Sequence, residues 1–115
     1  MDSCTAVNAL SALAQPSRLS VFRWLIECGP QGACAGDIAT KLGIAPATLS
    51  FHLKTLQHAH LVESDREGRF VHYRANFAVM NALLEFLTAN CCGGQPALCA
   101  PGCAPALEPT VATPN

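Results

Sequence analysis

The stretch Asp37-Ile38-Ala39-Thr40-Lys41-Leu42-Gly43-Ile44-Ala45-Pro46-Ala47-Thr48-Leu49-Ser50-Phe51-His52-Leu53-Lys54-Thr55-Leu56 decides the fold. Ile38 and Leu42 stand one helical turn apart as the inward pair of a brief helix, and Gly43 supplies its exit. After a tight turn from Gly43 to Ala45, Pro46 suits the first turn of a second helix. There Leu49, Leu53 and Leu56 recur at four and three as an apolar stripe, while Ala47, Thr48, Phe51, Lys54 and His58 project from the other side. Two helices joined by a few turn residues predict a helix-turn-helix.

Upstream, Val7, Leu10, Leu13 and Ala14 keep helical spacing over roughly Thr5 to Ala14, and the helix stops before Pro16. Pro16 opens the next helix, in which Leu19, Phe22 and Ile26 recur and Gly29-Pro30 is the stop signal. Beyond Leu61 the period changes. Val62 and Ser64 lead to Arg66-Glu67-Gly68-Arg69, and Val71 and Tyr73 alternate with His72 and Arg74 on the return, which predicts a β-hairpin with an arginine-bearing tip. A last helix is predicted from about Phe77 to Asn90. Its apolar residues Val79, Met80, Leu83, Leu84, Phe86 and Leu87 cover more than one face, so it is expected to meet a second subunit.

A chain of 115 residues, 50% hydrophobic and 13% charged, fits one compact domain and excludes most multidomain enzymes. The net charge of -1 conceals a regional imbalance. From Lys41 to Arg74 five bases (Lys41, Lys54, Arg66, Arg69, Arg74) face three acids (Glu63, Asp65, Glu67), a balance of +2 that leaves -3 for the rest. All four histidines, His52, His58, His60 and His72, lie in the same stretch. The uncharged run from Phe86 to Leu107 is broken by Pro96, Pro101 and Pro105 with Gly93, Gly94 and Gly102, so no membrane helix is expected. Asp2 and the late first base, Arg18, give no secretory signal, and a cytoplasmic location follows as the expectation. From Gly93 to Asn115 there are five prolines and three glycines in 23 residues, with no aromatic residue and only Glu108 charged. The expected organisation is one folded domain over residues 1–92 and a flexible tail over 93–115 that carries the cysteine ligands.

The order of helices, helix-turn-helix, hairpin and helix carries Leu49-Ser50-Phe51-His52-Leu53-Lys54, then Ala59-His60-Leu61-Val62, then Arg66-Glu67-Gly68-Arg69. In this the chain resembles the ArsR/SmtB family of metal-sensing repressors, over residues of about 5 to 92. Leu13-Ala14-Gln15-Pro16-Ser17-Arg18-Leu19 looks like the family's entry to its second helix. The resemblance implies a mainly α fold with a β-hairpin wing, a winged helix-turn-helix dimeric through its terminal helices. It further implies a homodimeric transcriptional repressor, not an enzyme, that binds double-stranded operator DNA and releases it when a metal or metalloid binds.

For DNA, short polar side chains near the start of a recognition helix reach base edges in the major groove, the places of Thr48, Ser50, Phe51 and Lys54. Phe51 suits either a thymine methyl or packing against a neighbouring helix. His52, at the edge of the apolar stripe, suits either a base contact or a structural role. Arg66 and Arg69 on the wing suit the adjacent groove or its phosphates.

Seven cysteines raise the question of a disulfide framework, but the number is odd and Cys91, Cys92, Cys99 and Cys103 crowd into the last 25 positions. Cys4, Cys28 and Cys34 read as small packing residues. Family members with a metalloid site on the third helix carry two cysteines shortly before the aspartate, whereas here Cys34 is followed by Gly36. Members binding zinc between last helices use His and carboxylate ligands, and Asn76 to Leu87 offers only Glu85. Cys91-Cys92 with Cys99 and Cys103 instead looks like the subgroup whose adjacent cysteines end the last helix and are joined by one from the tail. Trivalent arsenic and antimony are thiophilic and take three thiolates in a pyramid, so they are the expected inducers. Cys99 is favoured as third ligand and Cys103 as fourth or substitute. Zinc on the four tail cysteines, a thiol-redox-sensing repressor and a metalloid buffer that binds no DNA are the alternatives. The absence of Cys-x-x-Cys, of a Cys-x5-Arg loop and of any βαβ pattern argues against catalysis.

Overall fold

A computed structural model of the chain describes residues 1–90 and Gly93. Cys91, Cys92, Cys99 and Cys103 lie outside the described residues. The elements run α1 (Ser3–Leu13), α2 (Pro16–Cys28), β1 (Ala33–Cys34), α3 (Ala35–Leu42), α4 (Pro46–His58), β2 (Val62–Glu67), β3 (Phe70–Ala75) and α5 (Phe77–Thr88). The chain divides into two units, Met1–Leu83 and Leu84–Asn115.

α1, α2 and α5 each begin at a side chain that satisfies an orphan amide, whereas Cys34 and Ala45, before α3 and α4, make no side-chain cap. Asp2 Oδ1 accepts from the Thr5 N–H at 2.7 Å, Gln15 Oε1 from the Arg18 N–H at 2.8 Å, and Asn76 Oδ1 from the Val79 N–H at 3.2 Å. The hydrogen bonds from Thr5 hold the Asp2 carboxyl below the usual carboxylate range. Its support of α1 is therefore present above the ordinary aspartate pKa and fades as pH falls through the lowered one. Arg18 Nε donates to the Ala12 carbonyl at 2.6 Å and joins α2 to α1.

α3 and α4 form the expected helix-turn-helix. Gly43 takes the left-handed conformation that ends α3, the Ile44 N–H reaches back to the Ala39 carbonyl at 3.1 Å, and Pro46 opens α4. Leu49, Leu53 and Leu56 are buried as the spacing predicts, in one cluster with Val21, Leu25, Ile38 and Leu61.

α4 ends through an unusual residue. His60 adopts φ +63° while its N–H bonds the Gln57 carbonyl at 2.9 Å. A left-handed conformation opposes the Cβ of any L-residue by about 1–2 kcal/mol, partly offset in a glycine variant by greater unfolded-state freedom. His60→Gly is expected to stabilise the fold by about 0.5 kcal/mol, read as a rise in urea midpoint at unchanged m-value.

Two predicted faces are corrected. On α1 the buried residues are Ala6, Ala9 and Ala12, while Val7 and Leu10 are exposed. On α2 they are Val21, Phe22 and Leu25, and Leu19 is exposed. Alanines at a spacing of three let α1 approach α2 and α4 closely, which turns its larger side chains outward.

The three strands form one antiparallel sheet in the order β1-β3-β2. β2 and β3 pair from Val62↔Ala75 to Glu67↔Phe70, and β1 adds Ala33↔Tyr73 and Cys34↔His72. The fold is therefore the expected mainly helical winged helix-turn-helix, its hairpin wing extended by a two-residue strand that the sequence does not signal. In the second unit Leu84, Phe86 and Leu87 are exposed, and Thr88 Oγ1 donates to the Leu84 carbonyl at 2.7 Å.

Candidate nucleic-acid interface

α4 presents two chemically distinct sides. Leu49, Leu53 and Leu56 fix the helix to the core, and Thr48, Ser50, Phe51 and Lys54 stand exposed on the opposite side. Phe51 is 65% exposed, so its ring is not packed against a neighbouring helix among the described residues. His52 is corrected. It is 7% exposed and sits on the core side of α4, since a residue three after Leu49 and four before Leu56 turns inward with them. Its Nδ1 has no hydrogen-bond partner among the described residues. The helix is tied to the root of the wing by Gln57 Nε2, which donates to Ser64 Oγ at 3.0 Å.

The wing sorts its charges by register. Glu63 lies opposite Arg74, and Asp65 lies opposite His72. Arg74 Nη1 donates to Asp65 Oδ2, and its Nε is 3.3 Å from Glu63 Oε1. The hydrogen bond to Asp65, with Glu63 adding, pushes the guanidinium pKa further up. Glu67 Oε1 lies 3.3 Å from His72 Nε2, and Cys34 Sγ lies 3.7 Å from His72 Nδ1. All three acids of the wing are thus engaged. Arg66 and Arg69 are exposed and form no ion pair among the described residues.

Sequence reasoning missed the neutralisation of Arg74. The signal was available, because a two-residue turn at Gly68-Arg69 makes position 63 face 74. α4 thus exposes short polar groups, an aromatic ring and a lysine, and the hairpin exposes two guanidinium groups that form no ion pair among the described residues. These groups have the chemistry to read base edges from the helix and to hold phosphates with the cations.

Of the dispersed thiols, Cys34 abuts the wing at His72. Cys4 is exposed, whereas burial, with Glu27 adding, pushes the half-buried Cys28 thiol up. Among the described residues no group of three or more His, Cys, Asp or Glu side chains is placed to hold a metal ion. Nor is any described helix long and apolar enough to cross a membrane.

The pattern of a helix-turn-helix domain family matches residues 13–65. The arsenical resistance operon repressor of Bacillus subtilis is 31% identical over 74 residues, 64% of this chain and 69% of that protein. An ArsR-like transcriptional regulator from Rhodococcus sp. RHA1 superposes with a TM-score of 0.65 at 30% identity, covering 73% of this chain and 76% of that one. A homodimeric winged helix-turn-helix DNA-binding domain from Mycobacterium bovis, described as a possible ArsR-family regulator, superposes with a TM-score of 0.59 at 28% identity, covering 75% and 80%. The two-sided α4, the arginine-bearing wing and these likenesses place the chain in the ArsR-type family of winged helix-turn-helix transcriptional regulators, DNA-binding proteins and not enzymes.

Proposed function

We propose that the chain is a homodimeric transcriptional repressor that holds operator DNA until trivalent arsenic or antimony binds Cys91, Cys92 and Cys99, with Cys103 as fourth or substitute ligand. Residues 1–92 bind DNA and dimerise, and residues 93–115 bring tail thiols to the inducer. The repressor acts in the cytoplasm. The observation that carries the DNA half is the exposed face of Thr48, Ser50, Phe51 and Lys54 together with the exposed Arg66 and Arg69, which form no ion pair among the described residues. The inducer half is supported by the likeness to an arsenical resistance operon repressor and by the donor set itself. Four thiols in a Pro- and Gly-rich stretch of sequence suit a soft trivalent centre.

Dimerisation is supported by the homodimeric M. bovis neighbour and by apolar surface on α1, at Val7 and Leu10, and in the second unit, at Leu84, Phe86 and Leu87. Inducer bound at the end of the last helix changes the pairing of protomers and so the spacing of two recognition helices. A 100-fold loss of operator affinity corresponds to about 2.7 kcal/mol of coupling, and linkage requires DNA to weaken inducer binding equally.

With Lys54, Arg66, Arg69 and the start of α4 from each protomer, a dimer neutralises about six to eight phosphates. The logarithm of the operator association constant is expected to fall against the logarithm of salt with a slope of about -5 to -7. A slope near zero would sink DNA binding. The inducer is tested by anisotropy of a labelled operator, selected from a randomised duplex pool, titrated anaerobically with arsenite, antimonite, methylarsenite, zinc or peroxide. Release by the arsenic or antimony species alone is expected. Release by zinc alone or peroxide alone points to the zinc-responsive or redox-sensing repressor instead.

A further inference from the structure

The tip of the wing carries a residue that the core does not use. Phe70, the first residue of β3, is 63% exposed and lies opposite Glu67 at the last pair of the hairpin. The turn between them is Gly68-Arg69. Gly68 takes φ +60° while Arg69 keeps a negative φ, the two-residue hairpin turn that requires glycine first. A tight turn of this kind holds Phe70 at the very end of the wing. Arg69 precedes Phe70 in the turn, and Arg66 pairs with Val71 on the other face of the hairpin; both arginines are exposed and without an ion pair among the described residues. The nearest acid, Glu67, is engaged by His72.

An exposed aromatic ring at the tip of a hairpin that also carries two exposed guanidinium groups, neither in an ion pair among the described residues, combines what a minor-groove wedge needs. The cations are drawn to phosphates and to a narrow groove, and the ring can enter a partly unstacked base step. The reach is suitable. From Ala75, paired with Val62 at the root, to Phe70 the strand spans about 17 Å, close to half a helical turn of B-DNA and hence to the distance from a major groove to the flanking minor groove.

We propose that Phe70 is an apolar wedge that enters the minor groove flanking each half-site, so that the wing selects operators by the deformability of a flanking base step. The inference rests on the DNA-binding reading above. It adds a specificity determinant that makes no hydrogen bond to a base. Flexible pyrimidine–purine steps in the flank favour it, and stiff A-tracts oppose it.

The test uses the full chain and two duplexes that share the selected operator core, one with TA steps and one with an A-tract in the flank, each carrying 2-aminopurine at the flanking step. Wild type is expected to prefer the TA flank by about tenfold and to raise 2-aminopurine fluorescence there. Phe70→Ala is expected to lose that preference and the fluorescence rise while keeping the salt slope, and Phe70→Leu to retain most of both. Arg69→Ala is expected to weaken binding to both duplexes and make the salt slope shallower by about one per subunit. Because Phe70 is exposed, its variants should melt with wild type, which makes the comparison one of binding. Salt-dependent binding by wild type with Phe70→Ala indistinguishable from it on both duplexes overturns the wedge and leaves DNA binding intact. Failure of wild type to bind any duplex overturns both.

Discussion

Serine in place of Cys91 or Cys92 is expected to leave operator affinity within about twofold of wild type and to weaken arsenite-induced release by at least about 100-fold in arsenite concentration. The substitution exchanges a soft thiolate for a hard hydroxyl of nearly the same size. A trivalent centre held by Cys91, Cys92 and Cys99 therefore keeps only two of its three thiolates, and Cys103, a tail residue, substitutes for Cys99 and not for a member of the adjacent pair. The same change touches none of the DNA-facing residues Thr48, Ser50, Phe51, Lys54, Arg66 or Arg69, so repression should persist without induction. Cys99→Ser is expected to show a smaller loss than Cys91→Ser, because Cys103 is an equally reachable donor, and the Cys99→Ser, Cys103→Ser double variant should match it. Cys4→Ser, Cys28→Ser and Cys34→Ser serve as controls that respond normally. The measurement is anisotropy of labelled operator against arsenite. Normal release from the Cys91 and Cys92 variants would place the inducer elsewhere.

The second large effect concerns stability. Gly32 sits at φ +65°, ψ -151°, a region essentially reserved for glycine, immediately before β1. A Cβ there would lie 1.9 Å from the Tyr73 carbonyl oxygen and 2.9 Å from the Arg74 Cβ. The obstacle is backbone, so relief requires β1 to leave β3, breaking the Ala33↔Tyr73 and Cys34↔His72 pairs. Gly32→Ala is expected to destabilise the fold by about 3–5 kcal/mol, a large part of the total for a domain of this size. Urea denaturation measures it, and the displaced wing root should weaken operator binding even where the protein remains folded. Gly29→Ala is the discriminating control. Gly29 lies in the same glycine region, at φ +79°, ψ -162°, but a Cβ there meets nothing within 4 Å, so only the backbone strain of about 1–3 kcal/mol is expected. Equal losses in the two variants would mean that the close approach to β3 does not matter.

The helix-turn-helix was legible because its determinants are local. The spacing of Ile38 and Leu42, the exit at Gly43, the entry at Pro46 and the stripe Leu49, Leu53 and Leu56 all act within a few residues of one another. The hairpin was legible for the same reason, and a two-residue turn at Gly68 even fixes which residues of β2 and β3 face each other. The regional charge was correctly placed but not correctly divided. Counting bases gave Arg74 the same weight as Arg66 and Arg69, until pairing with Glu63 and Asp65 removed it from the surface available to DNA.

By itself, the sequence determined the order and type of the long elements, the recognition helix and the arginines at the tip of the wing, because periods of 3.6 and 2 and the turn residues between them are properties of short segments. Only the tertiary structure decided which side of α1 and α2 is inside, that Ala33–Cys34 joins the sheet, that His52 turns inward while Phe51 and Phe70 stay exposed, and that Arg74 is neutralised. Helices apolar on more than one side carry no instruction for choosing between faces. That choice is made by which neighbours can approach most closely, and the small side chains of Ala6, Ala9 and Ala12 outweighed the larger ones of Val7 and Leu10.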